Sequence, residues 1–470
     1  MPDIKSLDIL YKFQLITLVI SITSLFILSF LETKNSLFFS KIINIFSSTS
    51  VFFINFTFLF PSYFSGLVMK IEYLLSILVS FIYFYISLNS SRAFKYSRGY
   101  LNYSIIFASS TLFSLLGIHT NRMIIWLFSV LILFLSLFGF FYFSSRSKEV
   151  DHNLFKSGRL FILNSLVGFL GFFLIYIQIE SLSFDQFGIY LFSLIHKKPP
   201  LILAPSIFFV EYFCLYLIGI HPFLNIRKTI LWNLNPISGV FSLLLTRVVV
   251  ISFLIRFLFI INENAPQEVI DSSEFFVFLS IVISLFGVFF DSFSFKSQKE
   301  LLWTVDRIHT LILISSVLII SKNPNQSPGF VNLNLISVLS YVGISGFLKF
   351  WNHLKLRDDR KFSVALFLVF LSFSLFSPPT FGFFGVFQIL DADISSRNIY
   401  FSIPLMVLVF YSAYYFLIIS SHICQKNENL GNFLSENSNK NTPSRFAVLF
   451  SIFGILTVMM ALNLKQFIWG

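Results

Sequence analysis

A chain of 470 residues with 56% apolar and only 12% charged side chains lacks the charge a soluble protein needs, about 25% in an ordinary globular domain. Its net charge of +11 requires no nucleic acid, because the basic residues gather in alternate loops between apolar runs. The 2 cysteines, Cys214 and Cys424, show neither a pairing logic nor metal-ligand spacing.

Apolar runs of about twenty residues, the length of helix that crosses about 30 Å of hydrocarbon, recur from end to end. They fall near 13–31, 45–66, 72–90, 101–118, 123–143, 160–179, 201–221, 236–261, 275–292, 301–320, 331–350, 363–390, 399–420 and 446–464. Backbone amides in lipid must be satisfied internally, and the runs lack the alternation of barrel strands. The expected fold class is therefore an all-α integral membrane bundle of about fourteen transmembrane helices. The first run is long enough to be a retained span, and no cleavable signal or transit peptide is evident. The 67 Phe residues, with abundant Ile, Asn, Ser and Tyr, point to A+T-rich codons and a small organellar genome. Physically, that much Phe reads as lipid-facing surface.

Loops after odd-numbered runs are basic: Arg92, Lys95 and Arg98; Arg146, Lys148, Lys156 and Arg159; Arg227 and Lys228; Lys296 and Lys299; Lys355, Arg357, Arg360 and Lys361. Loops after even-numbered runs hold little beyond Lys70, Arg122, Lys197, Lys198, Lys322 and Arg397, and one is acidic, with Glu263, Glu268, Asp271 and Glu274. The positive-inside rule places both termini outside and most of the positive charge beside anionic lipid on the inner face. The segments 144–156 and 421–445 read as polar, mobile loops, too small for a catalytic domain.

Proline is scarce inside the runs. His221-Pro222-Phe223 ends the seventh, Asn235-Pro236-Ile237-Ser238-Gly239 opens the eighth, and Ser377-Pro378-Pro379-Thr380-Phe381-Gly382 breaks the twelfth. Proline removes an amide donor and stops a helix, so these backbones need other partners. Interrupted spans in corresponding halves suggest two inverted five-helix repeats. The expected organisation is N-terminal helices over 1–98, repeats over 99–261 and 262–420, and a polar loop with the last span over 421–470.

At these breaks the chain resembles the antiporter-like membrane subunit family of respiratory complex I, the NADH:ubiquinone oxidoreductase. Gly219-Ile220-His221-Pro222-Phe223 resembles the family's Gly-Ala-Ala-Pro-Phe-His, and Asn235-Pro236-Ile237-Ser238 its Thr-Pro-Val-Thr. Lys299-Glu300-Leu301-Leu302 with His309 beyond it follows a Lys-Arg-Leu-Leu…His spacing. Ser377-Pro378-Pro379-Thr380-Phe381-Gly382-Phe383-Phe384-Gly385 resembles Ile-Pro-Pro-Thr-Ala-Gly-Phe-Phe-Gly, and Ser412-Ala413-Tyr414-Tyr415-Phe416-Leu417 resembles Ala-Tyr-Tyr-Tyr-Leu. Phe155-Lys156 through Gly168, Phe169, Gly171 and Phe172 look like the family's sixth span. The likeness runs from Phe155 to Leu417, and the Pro-Pro-Thr and Ala-Tyr-Tyr pieces favour the subunit 2 branch over subunits 4 and 5.

The resemblance implies a core membrane-arm subunit, coupling NADH-to-ubiquinone electron transfer in partner subunits to proton translocation. It implies no cofactor of its own, a multi-pass place in the mitochondrial inner membrane, and as partners other membrane-arm and accessory subunits and lipids including cardiolipin. It also implies a mid-membrane relay of a Glu in span five and Lys in spans seven, eight and twelve. Here those positions read Val130 or Leu131, Leu217, Arg247 and Val386, so three of the four charges are gone. Arg is always charged and suits a fixed electrostatic element better than a proton carrier. Glu211 is the expected counter-ion of Arg247, and His309, with Asp306 on its helical face, the expected proton carrier. His221 is a further candidate beside the break. Each has a plainer reading as a buried pair, a packed histidine or a boundary residue. A free-standing cation/proton antiporter, subunit 4 of the same complex, and a purely structural assembly subunit are the competing functions.

Overall fold

Helices are what a chain this apolar must form, and thirteen occur among the described residues. The protein is seen in a computed structural model that describes residues 4–31, 36–57, 67–93, 97–144, 148–220, 236–291, 298–322, 381–395 and 399–425, with Phe330, Leu333, Asn334 and Ser337. In chain order the helices are α1 (Ile4–Leu31), α2 (Ser36–Thr57), α3 (Leu67–Ala93), α4 (Ser97–His119), α5 (Met123–Ser144), α6 (Lys148–Ile179) and α7 (Phe184–Ser193). They continue as α8 (Leu203–Ile218), α9 (Pro236–Asn264), α10 (Gln267–Asp291), α11 (Gln298–Lys322), α12 (Phe381–Ser395) and α13 (Ile399–Gln425). Six of them carry stretches long and apolar enough to span a membrane, and Ile71–Ser87, Met123–Ser136 and Leu203–Ile218 are shorter apolar helices. The all-α, multi-pass expectation holds, although the described residues do not establish fourteen spans.

Burial ranks the helices. α11 is buried along its whole apolar stretch and α9 along most of it, whereas α1 exposes most of its surface. α9 packs on α3, α4, α5, α7, α8, α10 and α11, and α11 packs on α9, α10, α12 and α13. The outer helices present apolar stripes at helical spacing, such as Ile403, Val407, Phe410, Tyr414 and Leu417 on α13 and Ile162, Leu166, Leu170, Phe173 and Ile177 on α6. Stripes of this size are tolerated against lipid or protein and not against water.

Close approach is built in at α6 and α8. A Cβ on Gly168 would meet the Phe213 ring at 2.5 Å, and one on Gly171 would meet the Val210 backbone nitrogen at 2.9 Å. Small residues are how membrane helices bring backbones together. Nearby, Trp126 stacks on Phe253 at 3.9 Å and donates its indole N–H to the Val249 carbonyl at 3.3 Å.

Three boundaries differ from expectation. The stretch read as a mobile loop over 144–156 is helical from Lys148, since nothing before Gly158 interrupts it. α10 starts at Gln267, well before the apolar run at 275, because Pro266 precedes it and Glu268 in its first turn complements the helix dipole. The acidic segment is thus the first turns of a helix. The short α7 lies between two apolar runs, where no helix is expected. Ser183 caps it by accepting from Gln186 N–H at 3.3 Å, and an isolated bridge, Arg122 to Ser183, ties its start to the α4–α5 turn.

Candidate functional site

Pro236 opens α9, where a missing N–H is no loss and the fixed φ suits a first helical turn. The helix then carries Arg247 into the middle of the bundle, among the largest fully buried side chains. Its Nη1 lies 3.5 Å from Oδ1 of Asp306 on α11, with both side chains 1% exposed. Its Nη2 donates to the hydroxyl of buried Ser337 at 3.3 Å. The expected pairing of Arg247 with Glu211 is therefore corrected: Asp306 takes that place, while Glu211 on α8 accepts a hydrogen bond from Ser273 on α10. Both acids are buried near α9, and sequence spacing gave no means of choosing between them.

α11 supplies the rest of the site. Asp306 and His309, three residues apart and so on one helical face, are both buried. Arg307 lies over the Trp303 ring at 5.8 Å, and Thr310 donates to the Asp306 carbonyl at 2.7 Å. This polar stretch faces the end of α8. There Gly219 has φ 73 and ψ 40, and the Ile220 N–H donates to the Leu215 carbonyl at 3.0 Å. That is a Schellman stop, which glycine adopts without the steric cost of a side chain. Gly219, Ile220, Ser284, Asp306, Arg307 and Thr310 line a small cavity with room for about one water.

α8 thus ends beside the buried charges, close to where His221-Pro222 is expected to end the seventh run. His221, Pro222, Pro378 and Pro379 lie outside the described residues. Gly382 lies in the first turn of α12, which starts directly after the Pro-Pro-Thr segment. The other positions where the resemblance implies a Glu or Lys are apolar: Val130 is 1% exposed, its alternative Leu131 is partly buried against the core, and Leu217 and Val386 are fully buried.

Sequence reasoning missed two polar groupings. Arg256, nine residues beyond Arg247, forms an ion pair with Glu72 on α3, donates to the Thr120 carbonyl, and lies 4.9 Å from the Phe184 ring centroid. His119 sits beside it, with Nε2 2.6 Å from the Ser76 hydroxyl and Tyr11 and Tyr73 packed around its ring. The signal available was Glu72 itself, an acid within an apolar helix. The second grouping joins Glu211 and Ser273 to Glu274, which pairs with Lys322 at 2.7 Å.

A polytopic helical membrane protein in which one helix stops beside buried charges is the class that fold and site define. The chain is similar to a chain of respiratory complex I from Thermus thermophilus, with a TM-score of 0.71 and 15% identity over 96% of this chain and 97% of that one. It is similar to a chain of the membrane-bound sulfane sulfur reductase, an archaeal respiratory membrane complex, with a TM-score of 0.76 and 10% identity over 97% and 95% of the two chains. It is also similar to a chain of the Mrp complex from a Dietzia species, with a TM-score of 0.68 and 11% identity over 97% and 95%. At these identities the likeness is one of fold. No family model and no curated protein sequence matches the chain.

Proposed function

We propose that this chain is a membrane-arm subunit of a respiratory complex I, of the subunit 2 branch, without redox centres of its own. In this reading partner subunits carry electrons from NADH to ubiquinone, and the chain sits in the mitochondrial inner membrane against other membrane-arm and accessory subunits and cardiolipin. Residues 99–261 and 262–420 would be its two repeats. The observation that carries the reading is the full-length likeness to the complex I chain, with 96% of one and 97% of the other superimposed.

Within that reading the chain keeps the scaffold and has lost most of the ancestral relay. Arg247, held by Asp306 and Ser337, serves as a fixed positive charge. An arginine does not release its proton under physiological conditions. Asp306, which lines the cavity, and buried His309 on the same helix are the groups suited to move one.

The fold also matches chains of the sulfane sulfur reductase and Mrp complexes about as well, which favours as second reading a subunit of an ion-translocating complex that does not oxidise NADH. Gentle solubilisation and native electrophoresis decide between them. Migration of the chain with NADH dehydrogenase activity is the expected result; migration alone, or in a complex without that activity, overturns the first reading.

A further inference from the structure

The grouping of Glu211, Ser273, Glu274 and Lys322 runs from the interior of the bundle to its end. Glu211 lies eight residues into α8, about 12 Å along the helix axis from its start at Leu203. Ser273 and Glu274 lie about 10 Å into α10, and Lys322 is the last residue of α11. All three helix ends are on the same side of the bundle, because Asn262 near the end of α9 donates to Ser321 at 2.9 Å and Glu274 reaches Lys322. Glu211 is thus the deepest of the four, Ser273 and Glu274 lie at similar depth on successive positions of α10, and Lys322 stands at the helix end. Asp393, near the end of α12, is a buried neighbour of that end: this carboxyl accepts hydrogen bonds from Ser402 and interacts electrostatically with Lys322.

The chemistry of the series is unbalanced in a specific way. Glu211 is fully buried and Glu274 5% exposed, yet Oε2 of the first and Oε1 of the second have no hydrogen-bond partner among the described residues. Ser273 donates to the other oxygen of Glu211, and Lys322 meets the other oxygen of Glu274. The two carboxyls are within electrostatic reach of each other. Glu211 and Glu274 have one ammonium between them, which Asp393 also shares, so negative charge is in excess where water is scarce, and a proton on the pair lessens it. The other described groups facing the pair are Cys214 on α8 and Asp271 on α10, with the Asn164–Tyr212 hydrogen bond at 2.7 Å on the α6 side and the Asn262 amide on α9. None of these supplies a second cation.

We propose that Glu211 and Glu274 share one proton and, with the Ser273 hydroxyl bound to Glu211 and Lys322 at the mouth, form a proton outlet to this end of the bundle. The inference rests on the membrane-arm reading for its place in pumping, and not for its chemistry. The step is proton transfer alone. The O–H bond of one carboxyl breaks as one forms on the other, so the pair keeps a single net negative charge during that transfer. Release of the proton to water beyond Lys322, which stays an ammonium, leaves two negative charges until a proton arriving from the interior side replaces it. Nothing is oxidised or reduced.

Infrared difference spectra of the full chain, in whatever complex it purifies with, test this without any assay of NADH oxidation. A carboxylic C=O band present at neutral pH should be lost in both Glu211→Gln and Glu274→Gln. It should shift on transfer to D2O, and the shift should be several-fold slower in Ser273→Ala, a substitution that removes the hydroxyl bound to Glu211 without altering charge. No such band, a band untouched by either glutamine substitution, or a band that never exchanges overturns the proposal. So does a band abolished by sodium ions, which would make the pair a cation site. Where the chain does purify with NADH dehydrogenase activity, both glutamine variants should pump fewer protons per electron at an unchanged electron-transfer rate. Failure to purify with that activity removes the membrane-arm reading and leaves the infrared result to decide the outlet.

Discussion

Arg247 on α9 and Asp306 on α11 meet 3.5 Å apart with 1% of each side chain exposed, so neither charge has water to turn to when the other is removed. Breaking such a pair from one side costs about 3–5 kcal/mol, whereas replacing both partners by apolar residues is often close to neutral. Asp306→Leu and Arg247→Leu should each destabilise the protein by about that amount, and the double substitution by clearly less than their sum. Thermal denaturation in detergent, followed by tryptophan fluorescence, measures the cycle. Simple additivity would mean that the two residues are not coupled.

The α6–α8 contact gives a graded prediction. Gly171→Ala and Gly168→Ala push a methyl into the Val210 backbone and the Phe213 ring, and overpacking of this kind costs about 1–3 kcal/mol. Gly158, whose added Cβ would lie 3.9 Å from the Phe138 ring, should accept alanine with little change. The same denaturation measurement on the three variants checks the order. An effect at Gly158 equal to that at Gly171 would refer the destabilisation to helix chemistry in general and not to this contact.

How far the sequence could be read depended on what kind of contrast carried the information. Helix class was legible because hydrocarbon admits few other backbones, and the end of α8 because His221-Pro222 is a local stop signal, although the helix already ends at Gly219. Faces were not legible. α11 is buried along its whole apolar stretch, against α9, α10, α12 and α13, so periodicity does not report which neighbour a side chain meets. The choice of Asp306 over Glu211 for Arg247 depends on how helices far apart in the chain are set against each other, and nothing near Arg247 in the sequence encodes it. Glu274 was misplaced for a different reason: an acid in the first turns of a helix has the composition of a loop, and only Lys322, 48 residues on, reveals it as buried.

Gly219 should tolerate substitution in proportion to how well the new residue accepts a left-handed backbone. Its φ of 73 makes Gly219→Ala about 1–2 kcal/mol destabilising, with Gly219→Asn milder. Because the residue lines the cavity with Asp306 and Arg307, the alanine variant should also impair any proton transfer there more than its destabilisation explains. Proton pumping per electron at a temperature well below unfolding separates the two effects. A variant that is less stable and pumps normally would make the break purely architectural.

Arg256 tests whether one guanidinium holds three elements together. It binds Glu72 of α3 and the Thr120 carbonyl at the end of α4, and it lies against the Phe184 ring at the start of α7. A lysine has a single ammonium and no planar fork, so Arg256→Lys can keep the ion pair only by giving up the carbonyl and the ring. Glu72→Gln removes the opposite partner and leaves the carbonyl bond and the ring packing in place. Each should cost about 1–3 kcal/mol, the range for a hydrogen bond to a charged group together with the desolvation it leaves behind. Their local consequences should differ. The turn between α4 and α5 is tied to the segment before α7 by Met123 N–H to Leu182 O at 2.8 Å and Phe184 N–H to Asn121 O at 3.1 Å. Without a guanidinium to bind the Thr120 carbonyl and cover the Phe184 ring, the Met123 and Phe184 amides should exchange with deuterium faster in Arg256→Lys, while in Glu72→Gln they should stay near the parent rate. Equal protection in both variants would show that the backbone bridge holds the turn unaided, and would confine Arg256 to neutralising Glu72.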